Sequence, residues 1–173
     1  GGEAGQGIQT IGDILAHIFA TSGYYVFTNQ DYESRVRGGH NFYQIRFSNH
    51  PIHSSKEKIH ILLALDRESI ARHENELEPY GQVLYDSSIL KERFDKPNYV
   101  DVPLLRLARE RGGSDVMANS VAVGAVLGMF GMDLKMIPNV IEDTFKTKGA
   151  DIVKANFDAL YEGYEFAKRA CVT

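Results

Sequence analysis

The chain begins with a glycine-rich stretch, GGEAGQGIQT, that leads into apolar residues at helical spacing. Glycines ahead of a helix let backbone N–H groups turn toward one point beside the positive end of the helix dipole. Such a cradle binds anions, and phosphate is the usual one. The pattern favours an anion site over residues 1–10, and a tight turn without a ligand is the alternative.

Two common phosphate motifs do not fit this stretch. The dinucleotide fingerprint requires glycine where Ala4 stands. It also requires an acid at the end of the next strand, where Asn29 stands and Asp31 is only nearby. Because no Gly-Lys-Ser/Thr follows, the stretch is not a P-loop either. A free-standing NAD-dependent enzyme is therefore disfavoured.

A second segment whose residue types could bind a ligand is ESRVRGGH, at residues 33–40. It places Arg35, Arg37 and His40 around paired glycines, and guanidinium groups bind phosphate or carboxylate in bidentate fashion. The segment predicts a second anion contact, and a solvated loop is the alternative. RNA binding is disfavoured, because a lone Arg-Gly-Gly is not a repeated tract and the net charge is −4.

The remaining candidates for chemistry are weak. His50 and His53 flank a proline without the spacing or the nearby acid of a metal site. Cys171 is the single cysteine, so the chain cannot supply the thiolates of an iron–sulfur cluster or a cysteine-based zinc site. It also lacks a Gly-Asp-Gly with a following Asn-Asn for thiamine diphosphate, and a nucleophile elbow. We expect no catalytic residue and no metal ligand in this chain. It is therefore expected to be one component of a larger enzyme complex.

Hydrophobic periodicity predicts the elements that hold these segments. Residues 7–22 form a helix, residues 24–28 a strand and residues 29–39 a polar loop. The side chains of residues 40–48 alternate between two faces, which predicts a half-buried strand, paired antiparallel. Further along, the pattern predicts a central strand at 59–65, a polar helix at 66–77, short strands at 81–85 and 98–102, and helices from Pro103 onward.

The predicted fold class is α/β. Strands that alternate with helices indicate a Rossmann-like layered domain with a mostly parallel sheet, an antiparallel strand or hairpin, and a helical C-terminal tail. Residues 116–132 are shorter than the roughly 20 residues of a membrane span, so they predict a buried core helix. We expect a single domain over residues 1–173, with a first strand upstream of residue 1.

The motifs together resemble a known family. GEAGQGIQTIGDILA and YYVFTNQDYESRVRGGHNFYQIRFSNHPI are similar to the gamma subunit or gamma domain of 2-oxoacid:ferredoxin oxidoreductases. The helices MANSVAVGAVLGMFG and NFDALYEGYEFAK resemble the carboxy-terminal part of that family. The resemblance spans residues 2–168, and the tyrosine-rich version looks more like members in which the gamma domain is fused ahead of an alpha domain.

The resemblance implies a role in oxidative decarboxylation of 2-oxoglutarate, pyruvate or a related 2-oxoacid to an acyl-coenzyme A. Thiamine diphosphate, magnesium and iron–sulfur clusters are expected on partner alpha and beta subunits or domains, and ferredoxin receives the electrons through the complex. The single cysteine makes a reducing, cytoplasmic compartment the default expectation. The net charge of −4 argues against binding to nucleic acid or to an anionic membrane. The resemblance implies that the isolated chain is inactive.

In that family the gamma domain lies over the active site and helps hold coenzyme A. Carried over by position, the GQG loop would face the phosphates and the RGGH segment would be a second wall. The alternatives are a purely structural interaction module of the same kind of complex and a free-standing nucleotide-binding oxidoreductase. The implied coenzyme A residues are Gly5, Gln6, Gly7, Gln9, Thr10, Arg37, Gly38, Gly39 and His40.

We predict that Arg37→Ala raises the coenzyme A concentration that the assembled oxidoreductase needs for half-maximal rate. The reason is that the variant loses a guanidinium that would pair with phosphate. The measurement is the rate of acyl-coenzyme A formation as a function of coenzyme A concentration. An unchanged coenzyme A dependence would count against a ligand role for the RGGH segment.

Overall fold

A computed structural model describes residues 1–32 and 39–170. Within it the chain divides into two compact units, Gly1–Asp101 and Val102–Thr173. The first unit carries all six described strands, and the second is helical.

The first unit contains an antiparallel sheet of three strands, with β3 in the middle. β2 pairs with β3 along its whole length, from Tyr25 opposite Ser48 to Tyr32 opposite Asn41. β1 pairs with the start of β3 on its other side. The strands are β1 (Gly2–Glu3), β2 (Tyr25–Tyr32) and β3 (His40–Ser48).

Helix α1 (Ile8–Thr21) lies against one face of this sheet. Phe19 stacks on Phe47 with ring centroids 3.9 Å apart. The Tyr43 ring covers Gly12, where a Cβ would lie 2.2 Å from the ring. The Tyr43 hydroxyl also donates to Asp13 Oδ1 at 3.0 Å. The apolar stripe that predicted the helix is thus its buried face, formed by Ile11, Ile14, Leu15, Ile18 and Phe19.

The opposite face of β3 binds the segment that follows it. Gln44 Nε2 donates to the Lys56 carbonyl at 2.6 Å, and Arg46 donates to the Ser54 carbonyl at 3.1 Å. The alternation of side chains along β3 that the sequence predicted is therefore confirmed, because Tyr43 and Phe47 face the helix while Gln44 and Arg46 do not.

A second, parallel sheet of three strands completes the first unit, with β5 between β4 and β6. Its apolar core gathers Leu62, Ala64, Ile70, Val83 and Tyr85. The elements are β4 (Ile59–Leu63), α2 (Arg67–His73), β5 (Leu77–Tyr85), α3 (Ser87–Leu90) and β6 (Tyr99–Asp101).

Three sequence predictions were wrong in their detail. Residues 29–32 are strand and not loop, because their backbone pairs with β3 and this pairing overrides their polar composition. Residues 59–63 form an edge strand of the described parallel sheet, and the central strand is β5. The helix predicted over 66–77 ends at His73, and a short 3₁₀ turn, Glu74–Glu76, leads into β5.

The second unit consists of helices around a buried apolar helix, as the sequence predicted. A short π-helix, Ala108–Gly112, follows α4, and 3₁₀ turns precede α5 and α6. The α-helices are α4 (Leu104–Leu107), α5 (Ala118–Met129), α6 (Ile137–Phe145) and α7 (Ala150–Ala170).

Helices α5 and α7 touch backbone to backbone at glycines. A Cβ on Gly124 would lie 1.8 Å from the Leu160 carbonyl oxygen, and one on Gly163 would lie 2.1 Å from the Val121 carbonyl oxygen. Beside this contact, Ser120 Oγ donates to Asn156 Oδ1 at 2.6 Å in the buried interior. The packing of the helical unit therefore depends on the absence of side chains at these positions.

The predicted class is confirmed in outline, since the structure is α/β with a parallel sheet, an antiparallel sheet and a helical C-terminal region. Within residues 1–32 and 39–170, no helix combines the length and apolar character needed to cross a membrane. A single domain over residues 1–173 and a strand upstream of residue 1 stay predictions.

We predict that Gly124→Ala lowers the free energy of unfolding by at least about 2 kcal/mol, because the added methyl group meets a backbone oxygen that cannot rotate away. Helix propensity alone predicts the opposite sign, a gain of about 1 kcal/mol. Urea denaturation measures the difference. Val116→Ala, at a residue that is 76% exposed, is the control with little expected effect. A Gly124→Ala variant at least as stable as the parent would contradict this packing.

Candidate functional site

The glycine-rich segment forms a tight loop between β1 and α1. Gly5 and Gly7 have φ of 92° and 81°, in the left-handed region that side chains other than glycine rarely adopt. Gly7 is the residue immediately before the helix. The loop is exposed at Ala4 and Gly5, so its outer surface is open to solvent.

The first two glycines are required by space. A Cβ on Gly1 would lie 2.6 Å from Ser69 Oγ, and a Cβ on Gly2 would lie 2.5 Å from Gln6 Oε1. The backbone here is therefore pressed against neighbouring side chains. The glycine-rich composition has two causes, close packing at its start and backbone conformation at its end.

Gln6 fixes the shape of the loop from inside. Its Oε1 accepts from the Glu3 N–H at 2.7 Å, and its Nε2 donates to the Leu65 carbonyl at 3.2 Å. The Gln6 N–H in turn donates to the Glu3 carbonyl at 3.2 Å. The Gln6 side chain thus connects Glu3, at the start of the turn, with Leu65, two residues after β4.

The start of α1 presents backbone donors to solvent. The first helical bond runs from the Ile11 N–H to the Gly7 carbonyl at 3.0 Å. The amides of Ile8, Gln9 and Thr10 therefore lie ahead of the helical hydrogen-bond ladder. Within the described ranges no side chain caps this end, and the first turn contains no acidic residue. The first turn itself therefore supplies no negative charge to the positive end of the helix dipole.

The two sequence segments meet through backbone pairing. Glu3 lies opposite His40 and Gly2 lies opposite Asn41 in the antiparallel ladder between β1 and β3. His40 is only 3% exposed. A Cβ on Gly1 would also approach its ring carbon Cε1 to 3.0 Å. The end of the RGGH segment therefore packs directly behind the glycine loop.

Gly1 connects this ladder to the parallel sheet. Its amino group donates to the Leu63 carbonyl at 2.9 Å, and its carbonyl accepts from the Leu65 N–H at 3.0 Å. The three residues Gly1–Glu3 thus bond to β3 on one side and to the end of β4 on the other.

Asp66 follows β4 and begins α2 beneath the loop. Its Oδ1 accepts from the Ser69 N–H at 2.7 Å and from the Ser69 hydroxyl at 2.6 Å. Its other oxygen, Oδ2, is buried and has no partner among the described residues. Asp66 is therefore both the cap of α2 and a source of negative charge beside Gly1 and His40.

A chain of side chains leads from His40 to the surface. Its Nε2 lies 2.7 Å from Nε2 of His73, and Nδ1 of His73 lies 3.0 Å from Oε2 of Glu76. Phe42 packs edge-on against His73 with centroids 5.5 Å apart. Burial, with a smaller contribution from His73, lowers the pKa of His40 below its ordinary value of 6.5.

Comparison with known proteins decides the family of this fold. The family model for pyruvate ferredoxin/flavodoxin oxidoreductase matches residues 1–166. The chain belongs to this family. The resemblance that the sequence motifs indicated, to gamma subunits and gamma domains of 2-oxoacid:ferredoxin oxidoreductases, is confirmed.

Two curated relatives show the range within the family. The 2-oxoacid:ferredoxin oxidoreductase 2 subunit alpha of Aeropyrum pernix is 30% identical over 151 residues, which are 83% of this chain and 24% of that subunit. The 2-oxoglutarate synthase subunit KorC of Archaeoglobus fulgidus is 26% identical over 169 residues, covering 97% of this chain and 86% of that subunit. The chain therefore spans only part of the alpha subunits it matches.

Solved structures of the family share the fold. The 2-oxoglutarate:ferredoxin oxidoreductase from Magnetococcus marinus, with 2-oxoglutarate, coenzyme A and succinyl-CoA bound, superposes with a TM-score of 0.86 at 26% identity. The match covers 97% of this chain and 30% of that one. The gamma subunit of a keto/oxoacid ferredoxin oxidoreductase from Geobacter sulfurreducens gives a TM-score of 0.75 at 24% identity, covering 96% and 94%.

The structure places most of the implied site residues of this family member. Gly5, Gly7 and the exposed Gln9 and Thr10 surround the open end of α1, whereas Gln6 points inward as a brace. Gly39 is half-buried ahead of β3, and His40 is buried behind the loop. Arg37 and Gly38 lie outside the described residues, with the rest of residues 33–38.

Sequence reasoning missed the second layer of the site. Asp66, Ser69 and His73 were assigned only to a polar helix, yet they support the glycine loop from below. One signal was available, because Asp66 directly follows the apolar run and precedes Ser69 by three residues, the spacing of a capping interaction. In the described part of the chain, no group of three His, Cys, Asp or Glu side chains converges as metal ligands.

An open groove of about 590 Å³ lies in the helical unit, lined partly by Arg111, Lys154, Phe157 and Tyr161. Its cations are paired, since Arg111 lies 3.1 Å from Glu162 and Lys154 contacts Asp158. None of the sequence-predicted site residues lines it. The candidate site is therefore the loop in the first unit.

We predict that Gln6→Glu destabilises the protein by about 1–3 kcal/mol, because a carboxylate cannot donate to the Leu65 carbonyl and is repelled by it. Gln9→Glu is the matched control, since the same change on the exposed first turn of α1 interacts favourably with the helix dipole. Thermal unfolding of the two variants gives the comparison. Equal stability of the pair would contradict the bracing role of Gln6.

Proposed function

We propose that this chain is the gamma component of a 2-oxoacid:ferredoxin oxidoreductase and helps bind coenzyme A without taking part in bond breaking. Family membership over residues 1–166 supports the role as a component. Similarity to an oxidoreductase whose structure contains bound 2-oxoglutarate, coenzyme A and succinyl-CoA supports coenzyme A as the ligand.

The observation that carries the ligand assignment is the uncapped start of α1. Gly7 turns the chain into the helix with φ of 81°, and the amides of the first turn face an exposed loop with no acidic side chain in that turn. Backbone donors at a helix start bind phosphate through hydrogen bonds and through the helix dipole. A diphosphate group suits this surface.

The residues present fit coenzyme A at its phosphate end. The backbone around Gly5 and Gly7 would hold the phosphates, with the exposed Gln9 and Thr10 beside them. When bound, coenzyme A supplies the thiol that accepts the acyl group. This chain contributes binding and orientation, and its Gln6 brace keeps the loop in one shape so that little ordering is needed on binding.

The remaining chemistry of the reaction is then expected on other parts of the complex. We place thiamine diphosphate, magnesium and the iron–sulfur clusters on alpha and beta subunits or domains, with ferredoxin as the electron acceptor. The 2-oxoacid, whether 2-oxoglutarate, pyruvate or a related acid, is recognised mainly by those partners. The isolated chain is then expected to be inactive.

We predict that Gly5→Ala raises the KM for coenzyme A in the assembled oxidoreductase by about tenfold or more. Alanine disfavours the loop conformation with φ of 92°, and the loss of one hydrogen bond to a charged group costs about 1.5–3 kcal/mol. Pantetheine, which lacks the nucleotide phosphates, should show no such change. The measurement is the initial rate with each thiol.

Gly23→Ala is the matched control for that experiment. Gly23 has the same φ of 92° and the same open space for a Cβ, but it lies past the other end of α1. Both variants carry the same backbone strain, about 1–2 kcal/mol. If the two variants raise the KM for coenzyme A equally, the purely structural module is favoured. The same holds if Gly5→Ala raises the KM for pantetheine as much as the KM for coenzyme A.

A further inference from the structure

The hydrogen-bonded chain of His40, His73 and Glu76 has a direction that can be derived. Glu76 as a carboxylate can only accept, so the His73 Nδ1 that lies 3.0 Å from it carries a hydrogen. A neutral His73 then has a lone pair on Nε2. Because the two Nε2 atoms lie 2.7 Å apart, the hydrogen between them must belong to His40.

This direction determines the state of the innermost atom. A neutral His40 with its hydrogen on Nε2 has a lone pair on Nδ1. That Nδ1 atom is buried and has no hydrogen-bond partner among the described residues. The ring itself is 3% exposed. The hydrogen-bonded series from Glu76 through His73 therefore ends at Nδ1 of His40, a buried acceptor behind the glycine loop.

We propose that His73 and Glu76 are positioning residues for His40, holding its ring so that the buried Nδ1 is a hydrogen-bond acceptor and the single point where the imidazole pair takes up a proton. If the added proton stays on His40, it lies on Nδ1. If His73 becomes the cation, it donates to Nε2 of His40, and the hydrogen of neutral His40 again lies on Nδ1. A second proton would put a hydrogen on both facing Nε2 atoms and break the bond between the rings, so the hydrogen-bonded pair can hold only one added proton.

The surroundings decide how readily that proton is taken up. Among the described residues, the charged and titratable groups facing His40 are Asp66 on the segment after β4, and Arg72 and His73 on α2. Among these described groups, only Asp66 favours the protonated form of His40, and its buried Oδ2 has no hydrogen-bond partner there. Burial is the largest cause that lowers the pKa of His40, with smaller contributions from His73 and Arg72, and this favours an unprotonated Nδ1 at neutral pH.

This state has a consequence for the coenzyme A site, and the consequence rests on the proposed function. A lone pair repels phosphate oxygens, which can only accept, so His40 provides no cation for the phosphates. A group that reaches Nδ1 must donate a hydrogen bond, as a hydroxyl or amide N–H does. The phosphate charge is then met by the backbone donors at the start of α1.

Long-range ¹H–¹⁵N correlation spectra of the full chain labelled with ¹⁵N-histidine test this proposal. At pH 7.5 we expect His73 to carry its hydrogen on Nδ1 and His40 on Nε2. On lowering the pH, the Nδ1 signal of His40 should shift from unprotonated to protonated along a single curve that the His73 signals follow. The exposed His17, His50, His53 and His60 are internal controls.

Glu76→Ala removes the acceptor that sets the direction, so we expect His73 to lose its Nδ1–H form and His40 to gain one at pH 7.5. Glu78→Ala, which removes a nearby carboxylate paired with Lys56, should change neither ring. A hydrogen on Nδ1 of His40 in the parent at pH 7.5, independent titration of the two rings, or equal spectra for the parent and Glu76→Ala would overturn the proposal.

These signals are read without coenzyme A, so their failure is separate from failure of the proposed function. Inorganic pyrophosphate is the probe for the ligand consequence, and it is expected to leave the Nδ1 signal of His40 unprotonated at pH 7.5. Protonation of that atom on adding pyrophosphate would overturn the assignment of Nδ1 as an acceptor that excludes phosphate.

Discussion

The backbone pairing of Gly1–Glu3 is the constraint on which the candidate site depends. These residues bond to β3 through the pairs Gly2 with Asn41 and Glu3 with His40, and to the end of β4 through Leu63 and Leu65. They therefore join an antiparallel and a parallel sheet at one point. The glycine loop leaves from this junction, so its position is fixed at one end by the sheets and at the other by α1.

The residues of the candidate site have different physical roles. Gly5 and Gly7 shape the backbone, Gln6 braces it, and the first amides of α1 provide the donors. His40 lies one layer deeper and connects to solvent through His73 and Glu76. An anion would thus be held mainly by the main chain, which does not change charge with pH, while the titratable groups lie behind it.

The sequence predicts features that depend on neighbouring residues better than contacts between residues far apart in the chain. Local patterns succeeded, because the stripe of α1, the alternation along β3 and the glycines before a helix each report on neighbouring residues. The two segments GQG and RGGH were assigned to one site by family resemblance, and the strand pairing brings their described parts together. Contacts of long sequence separation, such as His40 with His73, left no pattern in the chain. Strand residues 29–32 were missed because pairing with β3 outweighs their polar composition.

Hydrogen–deuterium exchange of the assembled oxidoreductase, with and without coenzyme A, reports whether the glycine loop contacts the phosphates of the ligand. We expect coenzyme A to slow exchange of the amides over residues 5–10, and pantetheine to leave that exchange unchanged. Unchanged exchange over these residues while coenzyme A protects another part of the chain or a partner subunit would contradict a phosphate-binding loop and leave this segment with a supporting role only.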